Sequence, residues 1–170
     1  LQDRALVVVF LPGGKTLAST VGGSIKLWDV TTAQEKARWQ AANAWGLSVS
    51  PDGKLLATWG ESDPTRVWDT TSGQQVAVFE GTTAPTFSPD GKLLAGSSWA
   101  NAANLWDVAT GSLIRQYPHD TFVQDIVFVS GGQKLVTVTR NNQIIFWDAN
   151  SDSRLRILEG HTGGVLALAL

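Results

Sequence analysis

Cysteine and methionine are both missing from this chain of 170 residues, tyrosine occurs once and histidine twice. Without thiols there is no disulfide frame, no thiolate nucleophile and no sulfur-ligated metal, so stability has to come from packing. The same absence fits a cytoplasmic setting. Charge is scarce as well: charged residues make up 16% of the sequence, the formal net charge is -2, and lysine and arginine are scattered singly. Such a balance gives no electrostatic footprint for DNA, RNA or anionic lipid, and neither nucleic acid nor membrane is expected as a partner. Long apolar runs are lacking, and no stretch could span a bilayer as a helix. The one candidate targeting segment, ALVVVFL after Arg4, barely reaches the length of a signal-peptide core and reads instead as a β-strand, because it aligns with a strand in every other copy of a repeat. The sequence begins at Leu1 in mid-pattern and holds no methionine, as an excerpt or a processed piece would.

What the chain has in quantity is glycine, with 17, and tryptophan, with 8. Both recur at a fixed interval. A tight-turn segment reads FLPGGKTLA from Phe10, VSPDGKLLA from Val49, FSPDGKLLA from Phe87 and FVSGGQKLV from Phe128, with first residues 39, 38 and 41 apart. A second landmark, an aromatic followed by an acid, falls at Trp28-Asp29, Trp68-Asp69, Trp106-Asp107 and Trp147-Asp148, at intervals of 40, 38 and 41. Two landmarks with matching periods define a repeat array. In each copy a strand leads into a turn whose proline fixes φ and whose glycine accepts positive φ. A second strand follows, then a polar loop, a third strand (IKLW, TRVW, ANLW, IIFW), a link rich in Thr, Ser and Gly, and a fourth strand. In the first copy these strands are expected at 5–10, 16–20, 24–28 and 35–39. Ten residues beyond each acid stand Trp39, Phe79, Tyr117 and Leu158, a column of large apolar groups expected to pack one unit on the next.

A period near 40 with Trp-Asp closing the third strand resembles the WD40 repeat, one four-stranded blade of a β-propeller. The resemblance covers essentially the whole chain. It implies an all-β fold of WD40-type blades with four antiparallel strands each: blades at 1–40, 41–80, 81–118 and 119–159, and the first strand of a further blade at 160–170, where Val165, Leu168 and Leu170 match apolar strand positions. Four blades plus one strand make an incomplete propeller in this chain, either a piece of a longer polypeptide or a half that pairs with a second copy into an eight-bladed ring. The family also implies a bonded set joining a histidine before the first strand, a second-strand hydroxyl, a loop acid and the Trp. His119 and Gly160-His161 occupy the histidine position. The acid does not survive: Gly22, Ser62, Ala100 and Asn141 stand in its place, so the copies are expected to depend more on apolar packing.

Chemistry finds little to work with. His119 and Asp120 are adjacent, and neighbours on an extended strand point to opposite sides. No G-x-S-x-G elbow occurs, and the paired glycines lack the Lys-Ser/Thr and helix of a phosphate loop. Asp52 and Asp90 repeat in identical turns, as turn chemistry requires and catalysis does not. No catalytic residue, metal or cofactor is expected, and the chain is read as a non-enzyme. The repeat itself accounts for Trp28, Asp29, Trp68, Asp69, Trp106, Asp107, Trp147 and Asp148. Trp45, Trp59 and Trp99 fall outside the apolar columns, and Trp99 shares a loop column with Val21, Glu61 and Arg140. Tryptophan and arginine are enriched at interface hot spots. Trp45, Trp59, Trp99 and Arg140 are therefore the expected site for a protein or peptide partner, against the alternative that an irregular propeller buries these tryptophans between blades. The resemblance implies an interaction scaffold or sensor module, and the wording LWDVATG and EGHTGGV is similar to repeats of bacterial multidomain regulators. The alternative is an architectural, self-associating half-propeller.

Overall fold

The computed structural model describes residues 5–41, 44–60, 63–165 and 168. Within them the chain forms sixteen strands, and the one helical segment among the described residues is a single 3-10 turn at Ser130–Gly132. The first blade contains β1 (Ala5–Phe10), β2 (Thr16–Val21), β3 (Ser24–Asp29) and β4 (Glu35–Gln40). The second contains β5 (Gly46–Val49), β6 (Leu55–Trp59), β7 (Thr65–Asp69) and β8 (Gln75–Phe79). The third has β9 (Thr83–Phe87), β10 (Leu93–Ser98), β11 (Ala102–Asp107) and β12 (Leu113–Pro118). The fourth has β13 (Val123–Val129), β14 (Lys134–Thr139), β15 (Ile144–Asp148) and β16 (Arg154–Leu158). Each is an antiparallel sheet in chain order, so every blade is a meander of hairpins.

The chain divides into two compact units, residues 1–80 and 81–170, of two blades each. In the first unit β1 and β2 pack on β5; in the second β9, β10 and β11 pack on β13. The register shows why the repeats align. A leucine opposes the Trp of every blade, as Leu17 to Trp28, Leu56 to Trp68, Leu94 to Trp106 and Leu135 to Trp147. Alternation along a strand then sends these residues to one face and their neighbours to the other.

The turns work as read. The amide of Gly53 donates to the Ser50 carbonyl at 2.9 Å and that of Gly91 to Ser88 at 2.8 Å. Asp52 accepts from the Ser50 hydroxyl and the Lys54 amide, and Asp90 does the same with Ser88 and Lys92. The repeat acids close the link after the third strand: Asp29 accepts the amides of Thr31 and Thr32, Asp69 those of Thr71 and Ser72, Asp107 that of Thr110 and Asp148 that of Asn150. These bonds to the ionised form hold the carboxyls of Asp29, Asp69 and Asp107 below the usual value.

The column on the fourth strands divides by environment. Phe79 and Tyr117 are fully buried, Trp39 is half-buried with its ring against Gly73 of the next blade, and Leu158 is 42% exposed. Tyr117 joins the third blade to the fourth: its hydroxyl donates to the carbonyls of Asp148 and Ala149, and its ring lies 5.3 Å from that of Trp147. Beside it Arg115 donates to the carbonyls of Ala149 and Asn150, at 2.8 and 3.0 Å.

Of the further strand expected at 160–170, the described residues 160–165 and 168 are not in a sheet, and Leu170 lies outside the described residues. The Leu168 amide does reach back to donate to the Asp125 carboxylate at 2.6 Å.

Candidate partner-binding site

The tryptophan networks decide which polar groups are already engaged. Two residues past the leucine opposite each Trp, the second strand carries Ser19, Thr58, Gly96 and Thr137. Three of these hydroxyls accept the indole N–H of their own blade: Ser19 from Trp28 at 2.9 Å, Thr58 from Trp68 at 2.9 Å and Thr137 from Trp147 at 3.0 Å. In the third blade, where glycine replaces the hydroxyl, Thr82 reaches in and accepts from Trp106 at 2.9 Å. The indole bond thus survives in all four blades although the loop acid does not. Of the acid positions, Asn141 accepts from the Thr139 hydroxyl at 2.6 Å, and Ser62 lies outside the described residues.

The fourth blade extends its bond into a chain. Trp147 donates to Thr137, Thr137 donates to Nε2 of His119 at 2.8 Å, and Nδ1–H of His119 donates to the Tyr117 carbonyl at 2.8 Å. That direction follows from the carbonyl, which can only accept, so Nδ1 carries the proton. His119 is 9% exposed, and burial pulls its pKa down to about 4, so the imidazole is neutral at pH 7. It is a support residue. Asp120 beside it is exposed in the link between β12 and β13, and His161 is exposed outside the four sheets. Among the described residues no group of His, Cys, Asp and Glu could hold a metal.

The four residues singled out for binding fall into two pairs, one in each unit. In the first unit the Trp45 amide donates to the Trp59 carbonyl at 2.7 Å, which places the pair side by side where β5 begins and β6 ends. Trp45 is 51% exposed, whereas Trp59 is half-buried. The Trp59 ring lies on the backbone of Gly46, where any Cβ would sit 2.0 Å from a ring carbon, so the indole and the glycine fit only together.

In the second unit Trp99 and Arg140 come together around a residue that the repeat pattern did not single out, Phe122. The Trp99 ring centroid is 5.0 Å from that of Phe122 at an interplanar angle of 30°, and the Arg140 guanidinium carbon is 5.5 Å from the same ring. Trp99 is 59% exposed, Arg140 is exposed and Phe122 half-buried. Each lies in a short, bonded loop. Trp99 stands in the β10–β11 hairpin, where the Ser98 hydroxyl accepts the Ala100 amide and Asn101 takes a left-handed φ of 54°. Arg140 stands in the β14–β15 hairpin, closed by the Asn142 amide on Thr139 with Asn142 at φ 66°, and its own amide donates to Phe122. Glu61, of the same loop column, lies outside the described residues. The only sign of Phe122 in the sequence was an aromatic just before the Val123 strand position, off the repeating columns.

Comparison with known proteins places these blades. Residues 73–107 and 111–148 match the family model "WD domain, G-beta repeat". Both matched segments are similar to the WD repeat. Each matched WD repeat starts at the outer strand of one blade and ends at the Trp-Asp of the next, and the remaining two blades share their strand order, register and indole bond. Among curated relatives, the nuclear distribution protein nudF of Aspergillus niger is 26% identical over 166 residues, covering 82% of this chain and 38% of that protein. The small ribosomal subunit protein RACK1y of rice (Oryza sativa subsp. japonica) is 33% identical over 55 residues, 31% of this chain and 16% of that protein. The chain thus spans well under half the length of either relative. No described helix is long and apolar enough to cross a membrane.

Proposed function

We propose that this WD-repeat chain is a platform that binds a protein or peptide partner and carries no chemistry of its own, with Trp45, Trp59, Trp99 and Arg140 as the residues that hold the partner. The observation that carries the reading is the cluster of Trp99, Phe122 and Arg140: Trp99 and Arg140 are large, solvent-facing groups held on closed hairpins, and both meet the half-buried Phe122 ring. Kinship supports it in kind, since the relatives bear the names of a nuclear distribution protein and a ribosomal subunit protein. The same reading takes the chain as cytoplasmic, without nucleic acid, metal or cofactor, and as a sensor piece of a bacterial multidomain regulator, the last supported by the wording of its LWDVATG and EGHTGGV repeats. The test is a phage-displayed library of random dodecapeptides panned on the chain. Enriched clones are expected to lose at least tenfold in affinity when all four residues are changed to alanine. Enriched clones that bind the fourfold variant equally well refute the site, and a library that yields no clone refutes the platform.

A second reading, the self-associating half-propeller, has its own observation. Arg156 stands eight residues past Asp148, as Arg115 stands past Asp107, and with Lys134, Phe146 and Leu155 it lines an open cleft of about 460 Å³. A further blade would present to Arg156 the turn carbonyls that Arg115 already grips in the fourth blade.

A further inference from the structure

Resting on the platform reading, we infer that Trp99, Phe122 and Arg140 form a recognition clamp for an acidic linear peptide, in which Arg140 takes one side-chain carboxylate and Trp99 takes the aromatic or aliphatic residue beside it. A guanidinium laid over a ring face spends its charge on the ring quadrupole and none of its five N–H donors. Among the described residues no carboxylate lies within ion-pairing distance of it, whereas Lys26, Arg38, Lys54 and Arg66 each have one. Arg115, in the same unit, shows the opposite state, with its fork committed to two backbone carbonyls. Arg154 also stacks, 5.0 Å from Trp147, but that indole is buried and brings no exposed apolar surface. Among the described residues, Arg140 is where an open donor fork meets an exposed aromatic.

A planar fork of this kind matches a carboxylate bidentately. The ligand carries a single negative charge at this point, because one guanidinium stands alone there and Asp120, two residues before Phe122, leaves no surplus of positive charge for a doubly charged phosphate. Its neighbour is apolar, because the Trp99 ring extends the Phe122 surface and leaves most of itself in water. The Arg140 loop is closed by the Asn142 amide on the Thr139 carbonyl and the Trp99 loop by the Ala100 amide on the Ser98 hydroxyl, so binding orders little.

The test is an array of peptides acetyl-Gly-Ser-X-Z-Ser-Gly-amide carrying all pairs of X and Z, probed with the labelled chain. Asp or Glu at X with Trp, Phe or Leu at Z is expected to bind about tenfold more tightly than the Asn or Gln counterpart, the size of effect a charge-assisted pair gives. Arg140→Gln should level acid against amide, Arg140→Lys should restore part of the preference, and Trp99→Ala should level the apolar residues against glycine. All three variants change exposed side chains, and an unchanged thermal melt confirms their fold. Equal binding of acid and amide rows overturns the clamp, as does a preference that persists in Arg140→Gln, while the platform reading stands on its own panning experiment. An array without signal above the glycine host also overturns it.

Discussion

Gly96 and Thr82 exchange roles in a way that no other blade shows. A Cβ on Gly96 would sit 2.4 Å from the Thr82 methyl and 2.9 Å from the Thr83 carbonyl, so the threonine that supplies the indole acceptor occupies the space left open at Gly96 on β10. Thr82→Val keeps the shape of this fully buried residue and removes the acceptor. It is expected to cost about 1 to 3 kcal/mol, because the Trp106 N–H loses that bond inside the protein. Urea unfolding followed by tryptophan fluorescence measures it, and a variant within about 0.5 kcal/mol of the parent would mean the bond contributes nothing net. Gly96→Ser is not expected to rescue the valine variant, since its Cβ meets a backbone carbonyl that cannot turn away. The sequence shows glycine where three hydroxyls stand, but which hydroxyl replaces them depends on the path of the chain before β9. Phe122 was illegible for the same reason: its partners come from two hairpins 23 and 18 residues distant, Trp99 and Arg140, which only the packing of two blades brings near.

Individual blades were far more legible than these contacts. The strands of the first blade, expected at 5–10, 16–20, 24–28 and 35–39, form within a residue of those limits, because turn chemistry and period-2 alternation are local. The fourth blade differs from the others in its histidine, and this gives it a pH response. The folded pKa of His119, about 4, lies below the ordinary 6.5, so the folded state favours the neutral ring. Above pH 6.5 both states are neutral and nothing is lost. As the pH falls from 6.5 towards 4 the unfolded chain takes up a proton that the folded chain refuses, and stability declines by about 3 kcal/mol. A second decline belongs to the turns. Asp29, Asp52, Asp69, Asp90 and Asp107 have folded pKa values lowered from 3.8, so their contribution is complete above that value and is lost as the pH falls below it. Chemical denaturation between pH 7 and 3 should therefore show two limbs, and His119→Gln should flatten the upper one and leave the lower. A single limb in the parent, or an upper limb that survives the substitution, would remove His119 from this role.

At the scale of the molecule, the interface between the two blades of a unit describes what an open blade face would accept. Val8, Phe10 and Val30 of the first blade are 56%, 57% and 47% exposed, while the residues at the same register in the fourth blade, Ile126, Phe128 and Ala149, are 1%, 3% and 5% exposed under the third. The matching donor stands on the fourth blade as Arg156, with Leu158 where Tyr117 closes the interface above. Blade interfaces in repeat arrays contribute stability as nearest-neighbour terms, so an interface formed between two copies would contribute as one formed within a chain. The self-associating reading therefore predicts a light-scattering mass close to twice the 18.2 kDa of one chain, held on dilution. Phe10→Asp and Arg156→Ala, placed on opposite members of the interface, should each return the mass towards one chain, the aspartate more completely because it places a charge against an apolar face. A parent that stays at the mass of one chain across the dilution series rejects self-association, and leaves the open faces with no role in assembling copies of this chain. The peptide clamp is independent of that outcome, since Trp99, Phe122 and Arg140 lie together within one unit and need no second copy to be complete.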